Sequence, residues 1–167
     1  MGPRTLVWMA LVALGGSLFT ACSDDAEALS KPDFIEQADA ICQEATDDLD
    51  PIWEEFYASW ADADWDEPGL QDELIAGFAG VFDEARPRWE QQVDELRELA
   101  PPADDAELLE SMLDDLEAAL EEMDEILTAA VAGDEAARER MDSDDDPMAD
   151  VNRGAREYGL AVCGSEE

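Results

Sequence analysis

The chain has 167 residues, 46 of them acidic and nine basic, with no histidine and a net charge of −37. That sign excludes electrostatic binding to nucleic acid or to anionic lipid headgroups, both of which need a basic surface. The missing histidine removes Ser-His and Cys-His dyads and imidazole metal ligands, while 46% hydrophobic residues at helical spacing argue against disorder.

Arg4 supplies a positive tip, residues 6–14 (LVWMALVAL) form an unbroken apolar run, and Gly15, Gly16 and Ser17 end it. This pattern predicts a secretory signal peptide over 1–21. The run is too short for the roughly 20 apolar residues that a membrane-spanning helix needs. Cys22 directly follows Leu18, Phe19, Thr20 and Ala21, which resembles a bacterial lipobox with Phe19 where Leu, Val or Ile is commoner. The resemblance implies acylation of Cys22 as the mature N-terminus. An ordinary signal peptide with Cys22 incidental is the alternative. Removing 1–21 takes away Arg4 and no acid, so the mature charge is −38. With Cys22 lipidated, Cys42 and Cys163 remain as an even pair in an oxidising compartment, where a disulfide is the default. The alternative is two buried free thiols.

Residues 22–30 read as the lipidated N-terminus and a polar tether, and 31–164 as a helical domain. Ser30 is placed to cap a first helix, with Pro32 and Asp33 in its first turn. Its apolar stripe runs Phe34, Ala38, Ile41/Cys42, Ala45, Leu49, Ile52/Trp53, Phe56 and Trp60, in steps of three and four. The stripe keeps phase across Pro51, which predicts a bend rather than an end. After a connection at 61–69, a second stripe runs from Leu70 through Leu74, Phe78, Phe82, Ala85, Trp89 and Val93 to Leu96, with Pro87 a second kink. Pro101 and Pro102 stop that helix. A third helix spans Ala106 to Ala130, and Gly133 follows as a stop. The last segment, 134–163, keeps helical phase through Met141, Met148, Val151, Ala155, Tyr158 and Val162, but DSDDDP at 142–147 interrupts it and predicts a kinked or broken fourth helix. Gly164 and an acidic tail at 165–167 close the chain.

These elements predict an all-α fold: an up-down-up-down four-helix bundle with kinked helices and one disulfide. In that topology the start of helix one lies beside the end of helix four, which places Cys42 near Cys163. A bridge between them closes nearly the whole domain and is worth about 4–5 kcal/mol in the loop-entropy model.

Candidate chemistry is sparse. Asp62, Asp64 and Asp66, with Glu73 twelve places from the start, share the oxygen spacing of an EF-hand loop, but Glu67 occupies the glycine position of the sharp turn. Asp142, Asp144 and Asp146 form a similar run with Pro147 in that place. Weak Ca²⁺ binding at either run competes with a solvated acidic loop. Acid pairs such as Glu117/Glu121 and Glu121/Glu125 read as a self-repelling solvated face. Asp144, in phase with the fourth stripe, is the one acid that a carboxylate-based enzyme would use. Trp53, Phe56 and Trp60 share a helical face and read as core rather than a ligand cage. The methionines likewise read as core filling rather than copper ligands.

Two terminal motifs carry a family resemblance. Ala38-Asp39-Ala40-Ile41-Cys42-Gln43-Glu44-Ala45 and Tyr158-Gly159-Leu160-Ala161-Val162-Cys163-Gly164 are similar to the two ends of small uncharacterised acidic lipoproteins of actinobacteria, which share the lipobox and a mid-chain Pro-Pro joint. The resemblance covers most of the mature chain; the interruption at 142–147 departs from it. It implies a Cys42–Cys163 disulfide and an extracytoplasmic location, and it brings no activity. The expected role is that of a membrane-anchored lipoprotein on the outer face of the cytoplasmic membrane, a binding or interaction module without cofactor, acting on an envelope protein or small ligand. Cation binding and a carboxylate-based enzyme are the rival readings.

Overall fold

The computed structural model describes residues 27–64, 67–141, 143 and 146–165. The expected signal peptide, Cys22, most of the expected tether, Asp66, Asp142, Asp144 and the last two residues of the acidic tail lie outside the described residues. What is described is all-helical: α1 (Lys31–Ser59), α2 (Leu70–Glu98), α3 (Ala106–Val131), α4 (Glu135–Met141) and α5 (Pro147–Tyr158).

The local chemistry accounts for the boundaries. The Ser30 hydroxyl accepts the Asp33 N–H at 3.3 Å, which caps α1. Both α1 and α2 continue through an internal proline, Pro51 and Pro87. Each proline removes one intrahelical hydrogen bond, and burial of Leu49 and Phe56, or of Ala85 and Val93, on either side keeps the stripe against its neighbour. Pro101 and Pro102 stand in the joint between α2 and α3. The predicted fourth helix is two helices. The carboxylate of Asp146 accepts the Met148 N–H at 2.9 Å and starts α5 afresh, with Pro147 in its first turn.

One expectation is corrected. The spacing predicts a fourth stripe that ends at Cys163, yet α5 ends at Tyr158. Gly159 adopts φ +115°, and the Leu160 N–H turns back to the Ala155 carbonyl at 2.9 Å, a glycine-terminated Schellman end. Residues 160–164 form a turn, so Val162 and Cys163 reach α1 from a loop rather than from a helix face.

Neighbouring helices run antiparallel, as three sets of contacts show. The Leu29 N–H donates to the Ala100 carbonyl at 3.1 Å, joining the entry of α1 to the exit of α2. Arg97, at the end of α2, holds Asp114 and Glu117 of α3's first half at 2.9 and 2.6 Å. The Tyr158 hydroxyl, at the end of α5, donates to Asp105 at the start of α3 at 2.9 Å. The core falls into two clusters. One gathers Phe34, Ala38, Cys42, Leu96, Leu109, Ala155, Tyr158 and Leu160 near the chain ends. The other packs Phe82, near the middle of α2, with Leu120 and Leu127 in the second half of α3. α4 buries no residue, so the far end of the bundle is thinly covered.

Candidate functional site

That thin end carries a pocket of about 620 Å³. α1 contributes Phe56, Tyr57 and Trp60, and α2 contributes Gln71, Leu74, Ile75 and Phe78. Met123 and Ile126 come from α3; Arg138, Arg140 and Met141 come from α4, and Ser143, Asp146 and Pro147 follow. The residues arrive there by stripe geometry. At the start of α2 the apolar face finds no full-length helix opposite, so Leu74 and Phe78 stay half-buried while Ile75 is buried. The rings of Phe56 and Phe78 lie 6.0 Å apart, those of Phe56 and Trp60 6.2 Å, and those of Phe56 and Tyr57 5.5 Å, the separations of edge-packed aromatic pairs. Tyr57 itself is 65% exposed. The Trp60 indole N–H is buried and has no hydrogen-bond partner among the described residues. It faces protein rather than the void.

The pocket's charges are already engaged. Arg138 donates through Nε to the Ala130 carbonyl at 3.0 Å and through Nη1 to Asp72 at 2.7 Å. Arg140 holds Glu122 at 2.6 Å. Asp146 caps α5. A second cavity, about 290 Å³, lies between the two core clusters, bordered by Phe82, Trp89, Gln92, Val151 and the disulfide.

Cys42 and Cys163 are joined, with Cα atoms 5.2 Å apart across 121 residues of sequence. One turn before Cys42 in α1, Asp39 accepts the backbone N–H groups of Ala161, Val162 and Cys163 at 3.1, 3.0 and 3.3 Å. Successive N–H groups converging on one carboxylate make an anion nest. Gly164 closes the turn. A Cβ there would sit 2.9 Å from the Arg156 nitrogen and the Asn152 carbonyl oxygen, and its carbonyl accepts from Arg156 at 2.6 Å. The residues of both terminal motifs therefore form a clasp, and each has a structural task.

Among the described residues the acidic candidates form no group that could hold a metal ion. Asp62, Asp64 and Glu73 are exposed, and Asp66, Asp142 and Asp144 lie outside the described residues. Among the described residues no group of three or more acidic, cysteine or histidine side chains is placed to hold a metal ion. Nor is any charged side chain buried among them. Glu117 is pulled below the usual carboxylate range by the hydrogen bond from Arg97, and it sits on the surface at the α2–α3 seam. Glu121 and Glu125 are exposed, as a solvated face requires.

Sequence reasoning assigned Phe56 and Trp60 to the core; they are core on one side and pocket wall on the other. It missed Tyr57, Arg138 and Arg140. The available signal was that two of the few arginines sit in a helix only seven residues long. Fold and pocket together define a class: an all-α domain stapled at its ends, with an apolar pocket at the opposite pole. Comparison with protein-family models, with curated proteins and with solved structures gives no match.

Proposed function

We propose that this chain is an exported lipoprotein of the kind its terminal motifs resemble, acylated on Cys22 and held at the outer face of the cytoplasmic membrane. Its domain is a four-helix up-down-up-down bundle in which α4 and α5 share the fourth position, and it works as a binding module rather than as an enzyme. The observation that carries the binding role is the pocket of about 620 Å³, walled by aromatic and aliphatic side chains with few polar groups. That is the composition and size of small-molecule sites. The anchor reading rests on the lipobox-like sequence before Cys22, and among the described residues no helix is long and apolar enough to cross a membrane.

Two measurements test this. The wild-type protein partitions into detergent, and Cys22→Ser releases it or leaves the precursor uncleaved. A Cys22→Ser protein that matures and stays in the membrane removes the anchor. Protein purified from native membranes, extracted into organic solvent and analysed by mass spectrometry, yields a small molecule in near-stoichiometric amount that a pocket-filling variant lacks. Identical extracts from both proteins remove the binding role.

A further inference from the structure

The charges around the pocket restrict what can fill it. Resting on the binding role above, we propose that the pocket takes a small, uncharged, ring-bearing apolar molecule, and takes it from the aqueous side rather than from the anchoring membrane.

Shape comes first. Phe56 and Trp60 of α1 and Phe78 of α2 line the pocket, and a flat ligand ring packs against such side chains in offset or edge contact. Met123 and Met141 stand on the other elements. Their unbranched thioethers adapt to the ligand's outline and favour aromatic contact.

Charge excludes ions of both signs. An anion would have to displace Asp72 from Arg138 or Glu122 from Arg140. It would also have to enter through the field of a chain whose net charge is −37. A cation is drawn in by that field but comes to rest beside two guanidiniums, while Asp146 is engaged at the start of α5. An uncharged ligand meets neither obstacle. A single polar atom on it finds the Tyr57 hydroxyl or the Gln71 amide, both on exposed residues of the pocket's edge.

Position decides the route. A helix rises about 1.5 Å per residue, which puts Phe56 roughly 37 Å along α1 from Lys31, where the tether joins. The pocket is therefore at the pole of the domain remote from the point where the tether joins, a placement that favours loading from the water over loading from that leaflet.

Three naphthalene probes test the proposal on the mature protein by fluorescence titration: uncharged N-phenyl-1-naphthylamine, anionic 8-anilino-1-naphthalenesulfonate and a cationic naphthyl-trimethylammonium. The uncharged probe binds once per chain, with the same midpoint at low and at molar NaCl. Tyr57→Ala, at an exposed position whose ring packs against Phe56, lowers the melting temperature by only a few degrees and weakens binding by up to roughly tenfold. Leu74→Trp fills the void and abolishes binding. Tighter binding of either charged probe at both salt concentrations overturns the uncharged ligand and leaves the binding role standing. Failure of all three probes, or binding that neither variant changes, overturns the pocket itself. With the uncharged probe delivered in phosphatidylcholine vesicles, transfer to the protein proceeds at a rate independent of vesicle concentration. A rate that climbs with vesicle concentration overturns the aqueous route.

Discussion

Burial, reinforced by the hydrogen bond to Asp105 and that carboxylate's charge, pushes the Tyr158 hydroxyl up to about 12, against about 10 for an exposed tyrosine. Lys31 stands 3.6 Å over the same ring and pairs with Asp105. The raised value has a signed consequence. Between about pH 10 and 12 the folded state keeps a proton that the unfolded chain has released, so the contribution is full below pH 10 and is lost as pH rises through 12. Tyr158→Phe is expected to cost about 1–2 kcal/mol at neutral pH through the lost bond to a carboxylate. It should also flatten the fall of melting temperature above pH 10. Thermal melts of both proteins across alkaline pH, with tyrosinate absorbance followed in parallel, check this; parallel curves would show that Tyr158 ionises in the folded state without penalty. Such residues were half legible in the sequence. The stripe positions Phe34, Ala38, Val93 and Leu120 could be read from periodicity, because a helix has only one face to bury. Tyr57 could not, because it lies off the stripe and gains its place from the start of α2 beside it.

At the scale of elements, the clasp explains why two short terminal motifs hold a domain together. The disulfide and the Asp39 nest grip one turn, 161–163, from adjacent turns of α1. Removing the bridge with Cys42→Ala and Cys163→Ala is expected to cost up to about 4–5 kcal/mol, since it frees a loop of most of the domain. Asp39→Ala strands three backbone donors that are only partly wet and is expected to cost about 1–3 kcal/mol with the bridge intact. Because both changes release the same turn, their effects should fall short of additivity when combined. Denaturant unfolding of the three proteins measures it. Strict additivity would mean that bridge and nest stabilise separate parts. The first three helices were legible nearly to the residue, since Ser30, Pro101-Pro102 and Gly133 are chemical punctuation. The end of α5 was not: Tyr158, Val162 and the residues between keep helical spacing, and only the left-handed Gly159 breaks it. The division of α4 from α5 was foreseeable from DSDDDP, where packed acids and a proline disfavour a continuing helix. That the gap would leave a pocket was not, because a pocket depends on what fails to lie opposite Leu74 and Phe78.

Across the whole molecule, acids outnumber bases by about five to one, and five arginines bridge neighbouring helices. Arg88 joins Asp48 of α1 at 2.8 Å, Arg86 joins Asp124 of α3 at 3.1 Å, and Arg97, Arg138 and Arg140 make further bridges between helices. Acids brought close by folding are thus paired where a base exists, and repel elsewhere. Salt weakens both terms. Raising NaCl from about 0.01 M to about 1 M shortens the screening length from roughly 30 Å to roughly 3 Å. The surface pairs are worth about 0–1 kcal/mol each, and there are too few bases to offset 46 acids. The repulsive sum is the larger, so melting temperature is expected to rise with NaCl. Glu117 adds a pH-dependent contribution of its own. Its carboxyl is held below its ordinary value by Arg97, so the stability it adds is present above its unfolded pKa and lost as pH falls through the lowered one. Arg97→Gln removes that contribution and should make melting near pH 7 more dependent on salt, since two α3 acids then face α2 without a base. Melts over a series of NaCl concentrations decide the matter: a flat or falling curve would mean that the seam arginines outweigh the unpaired acids. A control with millimolar CaCl₂ at matched ionic strength separates general screening from binding. An increment beyond that control would mean that carboxylates converge on the cation after all, through Asp66, Asp142 or Asp144, or through rearrangement of Asp62, Asp64 and Glu73, and would favour cation binding over a purely electrostatic role for the acids.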